Sequence, residues 1–310
     1  MGPLKRADWE MKSGQGEALD VDGVRYRDGS LELSDRRLLA WRWWGEQGHR
    51  TVLRLQGTPG SRLHRHPNPN VWQEAGVRML TADRPGFGGS SRLPGRGLSA
   101  VADDVAALLD ALGLDRVPVI SFSGGGPHAL ALAARHPDRV SAVAVMVGAA
   151  PLAPEERELL VGVNRLGLEA AEQGWDALHK YLEQVAQRIL SEGGVRGLLD
   201  DAPAQDREVM ADPAWQRIDR ANTIEALRQG AEGWADETLA IIGAWDFHPI
   251  DVRTSVTWWH GANDANAPLS AAGRVVAEIP EARLHVWHDE GHFAAIRHEP
   301  EAIQDLLSRA

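Results

Sequence analysis

The feature that most constrains the fold is an alternation of short apolar runs with helical patterns. Seven runs are predicted as strands, at residues 38–44, 51–56, 77–83, 117–122, 140–148, 256–261 and 282–289. Apolar residues at helical spacing occur at 99–113, 125–136 and 300–310. This alternation predicts the α/β class, with a mostly parallel sheet covered by helices on both faces.

The alternation is interrupted between about Pro151 and Asp251, where helical patterns dominate and strand patterns are few. Prolines at 151, 154 and 249 mark both ends of this stretch. The simplest interpretation is a helical lid inserted between two parts of one sheet. We therefore predict a core of residues 21–150 and 252–310, a cap of residues 151–251, and a flexible tail over residues 1–20.

Composition excludes several classes of partner and site. The formal net charge of −11 argues against nucleic acid and anionic membranes, since both would repel the chain. The 310 residues include no cysteine, which excludes disulfides, thiolate catalysis and cysteine-based metal sites. No apolar stretch reaches the ~18 residues of a membrane span, and the N-terminus does not read as a secretory signal. We expect a cytoplasmic protein, monomeric or homodimeric, that acts on a small molecule.

The stretch ISFSGGGPHAL, residues 120–130, places a serine and three glycines where a buried strand becomes a helix. A serine hydroxyl is a good nucleophile only when it projects toward a base and has anion-stabilising N–H groups beside it. A sharp strand-to-helix turn with small neighbours provides both, so Ser123 is a candidate nucleophile. One alternative is a glycine-rich turn with a helix-capping serine. Another is a phosphate-binding loop, which the absence of a following Gly-Lys-Ser/Thr disfavours.

Two further candidates follow strands later in the chain. Asp264 comes just after the strand at 256–261, and His292 comes just after the strand at 282–289. Because the carboxyl ends of parallel strands meet at one edge of a sheet, both side chains should lie near Ser123. Taken alone, Asp264 reads as a loop-capping aspartate and His292 as a surface histidine. Together, in the order Ser–Asp–His, they predict a catalytic triad.

The turn LQGTPGSRLHRHP, which follows the strand at 51–56, offers a second set of backbone donors. It can present the Thr58 N–H opposite that of Gly124 and so form an oxyanion hole, with Gln56 and Gly57 supporting the loop. A plain proline–glycine turn is the alternative. The histidines in RLHRHP have no carboxylate cluster nearby, so we predict no metal site. The proposed chemistry requires no cofactor.

These motifs resemble those of the α/β-hydrolase fold family over residues 24–310. In chain order, which is also the family order, they are the oxyanion turn (56–60), ADRPGFGGS (82–90), the elbow (121–125), HGxxD (260–264) and Gly-His (291–292). The resemblance implies an eight-stranded, mostly parallel sheet flanked by helices, with a cap inserted after the sixth strand. It also implies the roles of five residues: nucleophile Ser123, base His292, orienting acid Asp264, and oxyanion donors Gly124 and Thr58.

The sequence departs from the family pattern at two motifs and narrows its chemistry at a third position. The first elbow position, usually glycine, is Ser121, and the oxyanion turn begins Gln56-Gly57 where the family usually has His-Gly. Serine at position 123, where epoxide hydrolases and haloalkane dehalogenases have aspartate, argues against both of those reactions.

The resemblance implies a serine hydrolase that forms an acyl-enzyme from a carboxylic ester or lactone. Tryptophans in or beside the cap favour an apolar or aromatic substrate. The candidate pocket residues are Phe122, Trp175, Trp215, Trp234, Trp245 and Phe293.

Other activities of the capped subgroup remain open. It includes proline iminopeptidases and carbon–carbon bond hydrolases, and the acidic stretch PEERE (154–158) could bind a substrate amine or simply begin a solvated helix. A non-hydrolytic member of the family, such as a lyase, a biosynthetic cyclase or a ligand-binding receptor, is the alternative from another class.

Overall fold

The computed structural model describes residues 11–13, 18–20, 22–45, 49–195, 199 and 201–310. The strands are β1 Met11–Ser13, β2 Ala18–Leu19, β3 Arg25–Glu32, β4 Leu38–Trp44, β5 Arg50–Leu55, β6 Val77–Ala82, β7 Val117–Phe122, β8 Val140–Met146, β9 Val256–Gly261 and β10 Ala282–Trp287. The helices are α1 Asn70–Gln73, α2 Leu98–Ala111, α3 Gly125–Arg135, α4 Pro154–Arg157, α5 Gly162–Glu172, α6 Trp175–Glu192, α7 Ala204–Ala211, α8 Pro213–Ala226, α9 Glu232–Ile242, α10 Leu269–Glu278 and α11 Glu299–Arg309.

All described strands join one sheet in the order β1-β3-β4-β6-β5-β7-β8-β9-β10, with β2 paired to β3. The strands from β6 to β10 in this order are parallel, whereas β1, β2, β3 and β4 form antiparallel pairs. The predicted fold class, a mostly parallel sheet flanked by helices, is confirmed. In the described part of the chain the sheet has ten strands rather than eight, because two short N-terminal strands extend it beyond β3.

The central strands form because their side chains are apolar on both faces. Every residue of β7 is buried, with Val117 and Val119 on one face and Ile120 and Phe122 on the other. The first face packs against α2, α3 and α10, and the second packs against α1 and α11. Burial on both sides is typical of parallel sheets and explains the continuous apolar runs in the sequence.

The helices α4 to α9, which we call the helical block (residues 154–242), lie between β8 and β9 in the chain. The block supplies most of one hydrophobic cluster, which includes Leu178, Leu182, Ile189 and Ala235 and which Phe87 of the core joins. Since β8 is the sixth strand counted from β3, the block is inserted after the sixth strand.

The structure differs from the sequence predictions near the N-terminus. Residues 11–13 and 18–19, predicted as part of a flexible tail, pair with β3 through backbone hydrogen bonds. Residues 1–10 and 14–17 of that tail lie outside the described residues. Strand β3 itself was not predicted, because RYRDGSLE carries charges on both faces and lacks an apolar run.

Within the described ranges, the structure holds no helix with the length and apolar character that crossing a membrane would require.

Candidate active site

Ser123 lies at the sharp turn between β7 and α3. Its φ of +52° is a left-handed conformation that residues with a side chain rarely adopt. The following glycines permit the turn: a Cβ on Gly124 would lie 2.2 Å from Thr58 Oγ1, and a Cβ on Gly125 would lie 2.3 Å from the Leu55 carbonyl oxygen. The glycines are therefore required because the Thr58 side chain and the backbone at Leu55 approach the turn closely.

The three residues predicted as a triad form one hydrogen-bonded row. His292 Nε2 lies 2.9 Å from Ser123 Oγ, and His292 Nδ1 lies 2.8 Å from Asp264 Oδ2. An ionised carboxylate can only accept, so Nδ1 carries the proton and donates to Asp264. His292 Nε2 is then free to accept the hydrogen bond of the Ser123 hydroxyl. This arrangement allows the imidazole to remove the proton of the serine.

Asp264 is held by groups that follow β9 and by one side chain within it. Its Oδ1 accepts the backbone N–H groups of Asn266 and Ala267, both at 2.8 Å. His260 Nδ1 accepts from Trp258 Nε1 at 3.0 Å, so its proton is on Nε2, which donates to the Ala267 carbonyl oxygen at 2.8 Å and lies 3.4 Å from Asp264 Oδ2. The two backbone N–H groups and His292 therefore fix the orientation of the carboxylate.

Burial and charge act in opposite directions on this pair. Burial would raise the pKa of Asp264, but the charge and hydrogen bond of His292 hold that pKa below its ordinary value. Burial lowers the pKa of His292, but the carboxylates of Asp264 and Asp206 outweigh it and raise that pKa above its ordinary value. The site therefore favours the imidazolium that forms when His292 takes a proton.

Thr58 and Gly124 lie on turns beside Ser123. Across the ranges the structure covers, neither backbone N–H donates a hydrogen bond to another residue. The Gln56 side chain, fully buried, donates from Nε2 to the Ala82 carbonyl oxygen at 2.7 Å and so fixes the first turn. Two free donors beside the serine hydroxyl are what an oxyanion hole requires.

A buried ion pair that the sequence analysis missed supports the Thr58 turn. Arg84 Nη1 and Nη2 donate to the carbonyl oxygens of Gln56 and Gly57, at 2.5 and 2.7 Å. Arg84 also donates to Glu237 through Nε at 2.7 Å and Nη2 at 2.6 Å, and Glu237 in turn accepts from the Thr58 hydroxyl. Glu237 lies in α9 with no motif around it, so no sequence signal indicated this contact.

Two cavities meet at Ser123. The large cavity, about 170 Å³, has aromatic walls from Phe122, Trp215, Trp234 and Phe293. The small cavity, about 120 Å³, is mainly aliphatic, with Leu152, Leu160, Leu168, Leu182, Ile241 and Ile242 among its lining residues. Both are bounded by the helical block on one side and by the sheet edge on the other.

Two of the six pocket candidates lie elsewhere. Trp175 stacks on His179 and donates from Nε1 to Asp236 at 2.9 Å. Trp245 stacks on Phe247 and donates from Nε1 to the Ile241 carbonyl oxygen at 3.0 Å. Both indoles are held by local partners and line neither cavity.

The large cavity carries acidic and neutral polar groups. Asp219 and Asp201 line it, and burial raises the pKa of Asp219 to about 6. His64 also lines it, and burial together with the nearby Arg54 charge holds the pKa of His64 well below its ordinary value. No arginine or lysine occurs among the described residues that line either cavity.

Comparison with known sequences gives one family. The profile described as alpha/beta hydrolase fold matches residues 50–191. A 2-hydroxy-6-oxo-6-phenylhexa-2,4-dienoate hydrolase from Burkholderia cepacia is 30% identical over 267 residues, covering 81% of this chain and 84% of the relative. A pimeloyl-[acyl-carrier protein] methyl ester esterase from Aromatoleum aromaticum is 32% identical over 251 residues, covering 77% of this chain and 93% of the relative.

Comparison with solved structures supports the same fold. The enol-lactonase from Burkholderia xenovorans LB400 matches with a TM-score of 0.66 and 22% sequence identity. The match covers 90% of this chain and 99% of the lactonase.

Proposed function

The chain belongs to the α/β-hydrolase fold family and is a hydrolase, and from this premise we propose that it cleaves a neutral carboxylic ester or lactone through an acyl-enzyme on Ser123. The observation that carries the proposal is the hydrogen-bonded row from Ser123 Oγ through His292 to Asp264, with spacings of 2.9 and 2.8 Å. The helical block acts as a cap that encloses the substrate.

In the first half of the reaction, His292 Nε2 takes the Ser123 proton while Oγ forms a bond to the carbonyl carbon. The carbonyl oxygen becomes an oxyanion that accepts from the Thr58 and Gly124 N–H groups. The imidazolium then donates its proton to the leaving alkoxide, and the ester C–O bond breaks. In the second half, water loses a proton to His292 and its oxygen bonds to the acyl carbon; the bond between that carbon and Ser123 Oγ then breaks, and the imidazolium returns the proton to Oγ as the acid is released.

Labelling with a fluorophosphonate probe tests the nucleophile directly. We expect the probe to modify Ser123 in the wild-type chain and not in Ser123→Ala, with strongly slowed labelling in His292→Ala. Mass spectrometry of the digested protein locates the adduct. If the folded wild-type chain is not labelled, the hydrolase mechanism fails and a non-hydrolytic, ligand-binding role takes its place.

The charge in the cavities favours a neutral substrate over a carboxylate. The dienoate hydrolases among the relatives are named for substrates that are themselves carboxylates. In this chain the large cavity has Asp219 and Asp201 on its walls, and an anionic substrate would meet like charge there. A carbon–carbon bond hydrolase acting on such a dienoate therefore ranks second, behind a hydrolase of neutral esters or lactones.

A matched pair of esters separates the two candidates. We expect kcat/KM for p-nitrophenyl valerate to exceed that for mono-p-nitrophenyl glutarate by about tenfold or more. The glutarate ester would place a carboxylate in the large cavity, beside Asp219 and Asp201. Ser123→Ala gives the background rate for both esters. A preference for the glutarate ester, or turnover of a phenyl-substituted 6-oxo-dienoate with no ester hydrolysis, would favour the carbon–carbon bond hydrolase.

The proline-iminopeptidase alternative has less support from the block. Glu156, in the acidic stretch at its start, accepts from the Ala153 N–H at 2.8 Å and forms an ion pair with Arg274. Neither Glu155 nor Glu156 lines a cavity, so these glutamates are not placed to bind a substrate amine.

A further inference from the structure

The helical block contributes one carboxylate to the loop that carries the catalytic histidine. Asp206, in the first turn of α7, is fully buried. Its Oδ2 accepts the backbone N–H of His292 at 3.0 Å, and its Oδ1 accepts the backbone N–H of Ala294 at 2.7 Å. Both donors belong to the loop after β10, so one side chain of the block fixes this loop at two points.

The residue before the histidine is shaped for this contact. A Cβ on Gly291 would lie 2.5 to 2.7 Å from the carboxylate atoms of Asp206, closer than non-bonded atoms approach. Only glycine therefore lets the carboxylate reach the His292 N–H. This gives Gly291 a physical role that is independent of backbone conformation.

Burial raises the pKa of Asp206, and the His292 and Ala294 N–H groups together with the His292 imidazole oppose that rise. In the part of the chain that the structure covers, no arginine or lysine forms an ion pair or hydrogen bond with Asp206. The charged groups that face His292 are Asp264, after β9, and Asp206, from α7. His260, from β9, also lies beside them, and burial lowers its pKa.

We propose that Asp206 is a positioning residue for His292. From the helical block it fixes the position of the loop that carries His292, and it adds a second negative charge beside the imidazole. The inference rests on the proposed function, because it concerns how His292 serves as the base. It implies that His292 is fully active only while α7 is docked on the loop after β10.

Substitution by asparagine removes the charge and one of the two acceptor oxygens with little change in size. Two backbone N–H groups need two acceptors, and an asparagine has only one, so its NH₂ group would face a donor. The matched control is Glu208→Gln, which removes the same charge from an exposed position on the same helix.

The first test is the pH dependence of kcat/KM for p-nitrophenyl butyrate in wild type, Asp206→Asn and Glu208→Gln. We expect Asp206→Asn to lower kcat/KM by about tenfold to a hundredfold, since small displacements of a catalytic base have effects of this size. We also expect the acidic limb of its kcat/KM–pH profile to move to lower pH, because a negative charge beside the imidazolium has been removed. Glu208→Gln should change neither. A lower melting temperature with an unchanged acidic limb would overturn the proposal.

The second test needs no turnover, so it separates this inference from the proposed function. In a Ser123→Ala background, NMR titration of the His292 ring, assigned by its loss in His292→Ala, should give a lower pKa when Asp206→Asn is added. An equal pKa would overturn the proposal even if the esters are hydrolysed. Should the asparagine variant fail to fold, Asp206→Glu retains the charge with altered geometry. It should keep the acidic limb near that of wild type while kcat falls, and a shifted limb would contradict the proposed role of the charge.

Discussion

The turn at Ser123 shows how strongly single atoms constrain this site. Gly124 follows the serine at the start of α3, and the space for its Cβ is already filled by the Thr58 side chain, with Oγ1 at 2.2 Å and Cβ at 2.9 Å. A methyl group there would push apart the two backbone segments whose N–H groups form the proposed oxyanion hole. The position therefore tests the oxyanion geometry without touching the three residues of the hydrogen-bonded row.

We expect Gly124→Ala to lower kcat by about a hundredfold or more, the effect of losing one oxyanion donor. The control is Gly273→Ala, in α10, where a Cβ meets no atom within 4 Å. That substitution should leave kcat unchanged and stabilise the protein by about 0.5–1 kcal/mol, since alanine is the better helix former. Steady-state kinetics and urea unfolding measure the two effects, and equal kcat values for both variants would contradict the proposed donor role of this turn.

The raised pKa of His292 makes a prediction about pH. The imidazole must be neutral to accept the serine proton, so kcat/KM falls as pH drops through the pKa of His292 in the free enzyme. Since the carboxylates of Asp264 and Asp206 outweigh burial and raise that pKa above the ordinary 6.5, the midpoint of the acidic limb should lie above pH 6.5. A pH–rate profile with p-nitrophenyl butyrate measures it, and a midpoint below 6.5 would show that burial dominates.

At the scale of residues, the sequence predicts which side chains meet when their place after a strand decides it. Ser123, Asp264 and His292 each follow a strand-like run, and parallel strands bring such positions together, as their hydrogen bonds show. Asp206 could not be predicted in this way, because PAQDREV reads as an ordinary acidic helix start. Its role arises from tertiary docking of α7, which no local pattern encodes.

At the scale of elements, the prediction was accurate where burial dictates sequence. Strands β4, β7 and β9 have the predicted bounds, because nearly every position of each strand is buried. The half-exposed strand β3 gave no such signal. Position in the chain predicts that Trp175 and Trp245 line the pocket, but which side of a helix faces a cavity depends on how that helix packs.

Helix α9 connects the helical block to the core through a buried ion pair. Glu237 is fully buried, and although burial would raise its pKa, Arg84 and Arg96 hold that pKa well below its ordinary value. A depressed carboxyl pKa contributes stability that is fully present above the ordinary value of 4.5 and is lost as pH falls through the folded-state pKa. At neutral pH the pair should therefore contribute in full.

We expect Glu237→Gln to lower the free energy of unfolding at pH 7 by about 3–5 kcal/mol, because it leaves buried arginine charges without a partner. The control is Glu172→Gln, whose partner Arg157 is about half exposed, and which should cost no more than about 1 kcal/mol. Urea denaturation followed by far-UV circular dichroism measures both. Similar losses for the two variants would mean that the buried pair adds nothing beyond a surface pair.

At the scale of the whole molecule, the helical block and the core share polar contacts at several separate points. Asn222 Oδ1 in α8 accepts the Ser61 N–H at 2.8 Å. Asp236 in α9 pairs with Arg92 at 2.7 Å, and Asp206 in α7 holds the loop of His292. Contacts from three different helices make it costly for the block to separate from the core as a unit.

We therefore expect the block and the core to unfold together in one transition. Tryptophan fluorescence, far-UV circular dichroism and the rate of fluorophosphonate labelling at Ser123 should be lost at the same urea concentration, because Asp206 makes the His292 loop depend on the docked block. Asp206→Asn should lower the labelling rate already in the absence of urea, while its two spectroscopic transitions still coincide with each other. Loss of labelling in the wild-type chain well before either spectroscopic change would instead mean that the block detaches first, so that access to Ser123 and stability of the fold are governed by separate events.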